Sequence, residues 1–182
     1  MTYPEPRYLG ERGQVSALFR PASPEPDTGF ISYVAKRENT NGEFGLYKID
    51  MGPKAMGATE HFHRTISESF YVLSGKVRLY NGERWVTGGE GDFLYVPAGG
   101  LHAVQNDSDA PVSLLLLFTP GAPREEYFEK VAEYSQRSRE ELRPSGSGTT
   151  STTPTCSTTR RSRRQVRWGA LWRDRHRTWA IT

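Results

Sequence analysis

Between residues 30 and 118, apolar and polar residues alternate in short bursts, and most bursts end at glycine, asparagine or proline. FISYVAKR (30–37) and EFGLYKIDM (43–51) read as strands, because a period of two puts successive side chains on opposite faces of a sheet. The turn-rich ENTNG joins them, and its Asn41-Gly42 pair is a local hairpin signal. A loop, GPKAMGATE (52–60), follows. SESFYVLSG (67–75) and KVRLYNGERW (76–85) alternate as half-buried strands, with bends at Gly75 and Asn81-Gly82. GDFLYVP (91–97) and LHAVQN (101–106) continue the sheet, and Pro97 interrupts the ladder between them. VSLLLLF (112–118) is a continuous apolar run fit for a strand buried on both faces. QVSALF (14–19) can form a short edge strand, ahead of a stretch that Pro21, Pro24 and Pro26 keep from being helical.

From Pro123 the period changes. PREEYFEKVAEYSQRSREEL (123–142) predicts a helix, with Pro123 at its first position and Glu125 and Glu126 complementing the positive end of its dipole. Tyr127, Val131 and Tyr134 fall on one helical face, which is expected to pack on the outside of a β-structure. The pattern therefore predicts an extension over 1–29, one all-β domain over 30–120, a helix over 121–142 and a tail over 143–182.

Composition agrees with a single core: 182 residues with 35% hydrophobic content suffice for one domain of ordinary size. No run of about 18 apolar residues is present, which predicts no membrane span. MTYPEPRYLGERG lacks a basic region followed by an apolar one, so the cytoplasm is the expected location. The lone Cys156 lies in a polar stretch and supplies no internal disulfide.

The formal charge of +3 hides an asymmetry: up to residue 142 there are 15 basic and 20 acidic side chains, whereas beyond it stand nine arginines and one acid, Asp174. The tail opens as a Ser/Thr/Gly-rich stretch expected to be disordered, then carries RRSRR with Trp168, Trp172 and Trp179. No nucleic-acid-binding module accompanies that cluster, and charge clusters alone are weak evidence, so the reading goes against nucleic acid as a partner. Gly88, Gly89 and Gly91 are not a phosphate loop either, since neither a Lys-Ser/Thr pair nor a helical pattern follows them.

Three of the four histidines fall between residues 61 and 102. His61 and His63, two apart on an extended segment, point to the same face, so both imidazoles converge on one point. Glu68 shares parity with Phe70 and Val72, which places its carboxylate on the inward face of its strand, where it needs a partner. Glu60 has opposite parity to His61 and belongs outside. With His102, the set is three imidazoles and one carboxylate. That suits a divalent first-row transition metal, and the absence of nearby thiolates excludes copper(I) and iron–sulfur sites. Three neutral imidazoles and one carboxylate would leave a net charge of about +1 on a divalent ion, with one or two open positions for water, dioxygen or a substrate oxygen.

The spacing His61-x-His63-x4-Glu68-x6-Gly75, followed by Gly91-x5-Pro97-x-Gly99-x2-His102-x3-Asn106, resembles the paired motifs of the cupin superfamily over roughly residues 30–120. One departure is Ala55, where the family's first motif usually begins with glycine; Gly52 and Gly57 lie to either side. The resemblance implies a small antiparallel β-barrel, or jelly roll, with the metal inside, held by His61, His63, Glu68 and His102. The metal would be iron, manganese, nickel, cobalt, copper or zinc. Pocket walls are expected from inward positions, Phe70 and Val72 first, with Tyr47 and Phe93 as further candidates.

By resemblance to quercetinase-like dioxygenases, Glu68 would be both a metal ligand and the base that accepts a proton from a substrate hydroxyl. The reading leans towards an enzyme: a dioxygenase acting on a small aromatic or polyketide-like molecule. A metal-dependent isomerase or cyclase and a non-catalytic small-ligand-binding cupin are the alternatives. The resemblance also implies a homodimer paired through its sheets.

Overall fold

The computed structural model describes residues 4–141, with the backbone alone for 135–141. The basic tail expected beyond residue 142, including Cys156 and the three tail tryptophans, lies outside the described residues. Eight strands are followed by one helix: β1 (Ile31–Ala35), β2 (Gly45–Met51), β3 (Ser67–Ser74), β4 (Val77–Tyr80), β5 (Trp85–Gly88), β6 (Phe93–Val96), β7 (Ala103–Gln105), β8 (Val112–Thr119) and α1 (Glu125–Glu141). They form a five-stranded sheet in the order β1-β2-β8-β3-β6 and a three-stranded sheet in the order β5-β4-β7, with every pairing antiparallel. Among the described residues no helix is long and apolar enough to cross a membrane.

The core lies on the facing sides of the two sheets. From the large sheet come Tyr47, Ile49, Phe70, Val72, Leu114, Leu116 and Phe118, and from the small one Val77, Leu79 and Val104. The register explains the choice: Tyr47 lies opposite Leu116, and Leu116 opposite Phe70, so inward positions meet across three adjacent strands. Gly75 turns β3 into β4 at φ +81, and a Cβ there would come within 2.6 Å of the Pro111 carbonyl oxygen, so the bend needs glycine twice over. Asn106, 1% exposed, ties the strand ends together. Its amide nitrogen donates to the carbonyls of Gly52 at 2.8 Å and Ala110 at 2.7 Å, and its Oδ1 accepts from the Ser108 amide and hydroxyl.

Several expectations are corrected. QVSALF is unpaired, and Val15, Leu18 and Phe19 are exposed: among the described residues no strand takes up its backbone hydrogen bonds. Asn41 and Gly42 do take positive φ, but they close a nine-residue connection containing a 3-10 turn over Arg37–Thr40 in place of a two-residue hairpin. β8 is buried on one face only: Val112, Leu114, Leu116 and Phe118 are buried while Leu115 and Leu117 stay half-exposed, since among the described residues no layer covers the outer side. Phe93 is 62% exposed and leaves the pocket lining. It pairs with the outward-facing Tyr71, so Leu94 and Val96 are the inward residues of β6.

The helix also differs in face. α1 begins at Glu125, two residues after Pro123, and its most buried residues are Phe128 and Ala132, with Tyr127, Val131 and Tyr134 at the margins. Phe128 does not lie on an outer surface. Its ring stands 5.0 Å from that of Tyr47 and 6.4 Å from that of Tyr33, both inward residues, and the Tyr47 hydroxyl donates to Glu125 Oε1 at 2.7 Å. The start of α1 thus closes over the inward side of β1 and β2.

Candidate metal centre

Three elements deliver the four candidate ligands. Glu68 projects inward from β3 of the large sheet, and His102 stands just ahead of β7 of the small one. His61 was expected on a regular strand with His63. It makes only a single antiparallel bridge, opposite His102, in which the two residues exchange both backbone hydrogen bonds at 3.0 and 2.9 Å. His63 lies beyond the bridge, and its carbonyl accepts from the Gly99 amide at 2.7 Å. Main-chain bonds therefore set all three histidines, and two of them are set by each other.

The side chains converge. One ligand atom from each of His61, His63, Glu68 and His102 falls within 4.8 Å of every other, a group that could hold a metal ion. His61, Glu68 and His102 are 7%, 5% and 1% exposed, and His63 is partly exposed. His63 Nε2 and His102 Nε2 both donate to the same oxygen, Glu68 Oε2, at 2.7 and 2.9 Å. On the far side of two rings the backbone fixes the tautomer. Nδ1 of His61 meets the Thr59 carbonyl at 2.7 Å, and Nδ1 of His102 meets the Gly100 carbonyl at 2.9 Å. A carbonyl only accepts, so Nδ1 carries the proton in both, and Nε2 remains as the nitrogen for a metal.

The electrostatics follow from this packing. Burial raises the Glu68 carboxyl, but the hydrogen bonds from His102 and His63 outweigh it and hold the group down at about 2. Burial pushes His61 down to about 4, helped by the nearby charge of His102. His102 is also lowered by burial, yet its hydrogen bond to Glu68 dominates and raises it above the ordinary histidine value. The proton shared between His102 Nε2 and Glu68 Oε2 sits where both groups would offer themselves to a metal. An incoming divalent cation would replace that proton at the same oxygen and nitrogen atoms.

Of the candidate wall residues, Phe70 places its ring 6.1 Å from that of His102, and Val72 is fully buried two residues along β3. Tyr47 is buried as well, but it reaches the cluster only through Phe118, whose ring is 5.9 Å from both Tyr47 and His63. Phe118 was not singled out from the sequence, because it ends an apolar run whose inward parity is unreadable. Thr59 and Gly100 were missed too. Each acts through a backbone carbonyl, which any residue type supplies; the signal was their common position two residues before a histidine. Two surface depressions among the described residues lie elsewhere. One runs between the β1–β2 connection and the start of α1, lined by Lys36, Arg37, Pro123 and Glu125 among others.

Two antiparallel sheets with three imidazoles and a carboxylate gathered between them define a small β-barrel protein with a candidate mononuclear metal centre. Residues 47–118 match the family model described as Cupin domain. The chain is 30% identical over 107 residues to an uncharacterized protein of Aquifex aeolicus (strain VF5), covering 54% of this chain and 87% of that one. It is 35% identical over 75 residues to quercetin 2,3-dioxygenase of Bacillus subtilis (strain 168), covering 41% of this chain and 22% of the dioxygenase. The chain thus spans about a fifth of that enzyme's length. Among solved structures, an RmlC-like cupin from Shewanella frigidimarina NCIMB 400 is similar at 26% identity and a TM-score of 0.41, over 47% of this chain and 72% of the other. The chain belongs to the cupin family.

Proposed function

We propose that the protein binds one divalent first-row transition metal through His61, His63, Glu68 and His102, and that it is an oxygen-dependent dioxygenase acting on a small aromatic or polyketide-like molecule. The observation that carries the metal is the convergence of two imidazole nitrogens on Glu68 Oε2, with the tautomers of His61 and His102 fixed by backbone carbonyls. The dioxygenase reading is supported by the 35% identity to a quercetin 2,3-dioxygenase over 75 residues. A redox-active ion held there would acidify a coordinated substrate hydroxyl and bring dioxygen into reach of the substrate.

The chain's own residues do the rest. While two Nε2–H groups donate to Glu68 Oε2, that oxygen is too weak a base to take a proton from a hydroxyl. Base action at Glu68 therefore depends on displacement of those hydrogens. Phe70 and Phe118, packed against the rings of His102 and His63, keep water from the buried side.

The test is metal analysis of purified protein after growth with iron, manganese, nickel, cobalt, copper and zinc supplied, followed by oxygen uptake with flavonols and related enols. Near-stoichiometric redox metal with oxygen uptake is the expected result. Glu68→Gln should keep part of the metal and lose at least about a hundredfold in turnover; unchanged turnover would remove Glu68 as the base. Zinc with turnover but no oxygen uptake would favour an isomerase or cyclase, and saturable ligand binding without product would favour a binding protein.

A second copy of the chain is the proposed partner. Tyr71, Phe93 and Tyr95 stand together on the outward face of β3 and β6, at 43%, 62% and 57% exposure, beside the half-exposed Leu115 and Leu117. Contiguous apolar surface of this kind marks interfaces. Sedimentation should give a dimer that Phe93→Lys with Tyr95→Lys converts to a monomer; a monomeric wild type would rule the partner out.

A further inference from the structure

We propose that Arg124 is an anion-binding residue of this site: its guanidinium holds a carboxylate or similar anionic oxygen of a small aromatic ligand beside the His61, His63, Glu68 and His102 cluster. The inference extends the metal-centre reading by giving the ligand a charge and a place to put it.

Arg124 immediately precedes α1 and is half-buried. Its guanidinium carbon lies over three aromatic rings, 4.6 Å from the centre of Tyr127, 5.1 Å from Phe118 and 5.9 Å from Phe128. Phe118 is the residue whose ring meets His63, so one aromatic ring separates the guanidinium from the candidate ligands.

What the guanidinium lacks is an acceptor. Its Nε is buried without a hydrogen-bond partner, and among the described residues no carboxylate lies within ion-pair distance of it. Arg78 also has a buried Nε without an acceptor, but Asp107 stands 3.8 Å from its guanidinium. The acids that follow Arg124 are engaged elsewhere: Glu125 with the Tyr47 hydroxyl and Glu126 with Lys130. Cation–π contact repays part of the desolvation of a guanidinium, but it satisfies none of the N–H donors, which lie in the guanidinium's own plane.

The missing group is an oxygen anion. A guanidinium offers two parallel N–H bonds to a carboxylate, a geometry that a neutral amide or hydroxyl matches poorly. Charge points the same way. Three neutral imidazoles and a carboxylate around a divalent ion leave an excess positive charge, and Arg124 adds another. Tyr127, half-buried beside the guanidinium, offers a flat apolar face for an aromatic body.

Calorimetric titration with benzoate and its neutral isostere benzamide tests the assignment, on the full chain both stripped of metal and loaded with it. Benzoate is expected to bind at least tenfold more tightly than benzamide in the stripped protein, where no ion can hold the carboxylate. Arg124→Gln should lower benzoate affinity at least tenfold while leaving benzamide affinity and metal stoichiometry as in the wild type, and Arg124→Lys should restore part of the loss. Equal affinities for the two probes, no benzoate binding in either form, or a Gln variant with wild-type benzoate affinity would each overturn the proposal. The last result would leave Arg124 as a stacking residue that seats α1. If Arg124→Gln fails to fold, the comparison of the two probes on the wild type decides. Benzoate discrimination in a protein that takes up no metal would keep Arg124 and reject the metal centre, so the two readings fail separately.

Discussion

Replacing His102 by alanine is expected to weaken metal binding by roughly a hundredfold or more, measured by equilibrium dialysis, while the far-ultraviolet circular dichroism of the barrel is retained. The size follows from what this one ring does. It is 1% exposed, its Nδ1–H is anchored on Gly100, and its Nε2 shares Glu68 Oε2 with His63. Its loss leaves two imidazoles, and it deprives a buried carboxylate of one of its two hydrogen-bond donors. The fold should survive, because the main-chain bridge to His61 uses no side-chain atom and β7 pairs with β4 beyond it. Stability should fall by about 1–3 kcal/mol for the under-satisfied carboxylate. Metal affinity equal to wild type would show that His102 is a core residue and no ligand.

The second large effect is on stability against acid in the metal-stripped protein. His61 titrates near 6.5 when unfolded and at about 4 when folded, so between those values the unfolded chain binds the extra proton and stability falls as pH falls. The span is worth about 3 kcal/mol. His102 does not offset it: its raised value gives a contribution that is complete below about 6.5 and is lost only as pH rises through the folded value. Glu68, depressed to about 2, adds to the acid loss only below about 4.5. The window from pH 6.5 to about 4.5 therefore reports His61 nearly alone. Denaturant titrations at pH 6.5, 5.5 and 4.5 should show the midpoint falling in the wild type and nearly level in His61→Asn. Parallel slopes in the two proteins would mean that His61 is not buried as a neutral ring.

These two effects rest on residues that the sequence displays openly, and the reason is periodicity. Glu68, Phe70 and Val72 stand at alternate positions of a strand whose apolar pattern names its inward face, so the inward placement of the carboxylate is legible in the sequence. The histidines stood out by type and spacing. Where a run is apolar on both faces the pattern goes silent. FLYV gives no hint that Phe93 and Tyr95 face out while Leu94 and Val96 face in; only pairing with β3 decides it. LLLL in β8 misled in the same way, towards burial on both faces. QVSALF has the composition of a strand but not its partner, since hydrogen-bond supply is a property of neighbours. Arg124 was invisible because it falls just before the helical repeat and meets its rings only after α1 folds back on the sheet.

The bridge between His61 and His102 has a consequence for chelation. Two residues 41 positions apart in the chain exchange both of their main-chain hydrogen bonds, and each ring is pinned again through its own Nδ1. Towards an incoming ion they behave as one bidentate chelator whose two teeth are already set by folding. The entropy of bringing these donors together is spent when the strands pair, so it is not charged against the affinity for the ion.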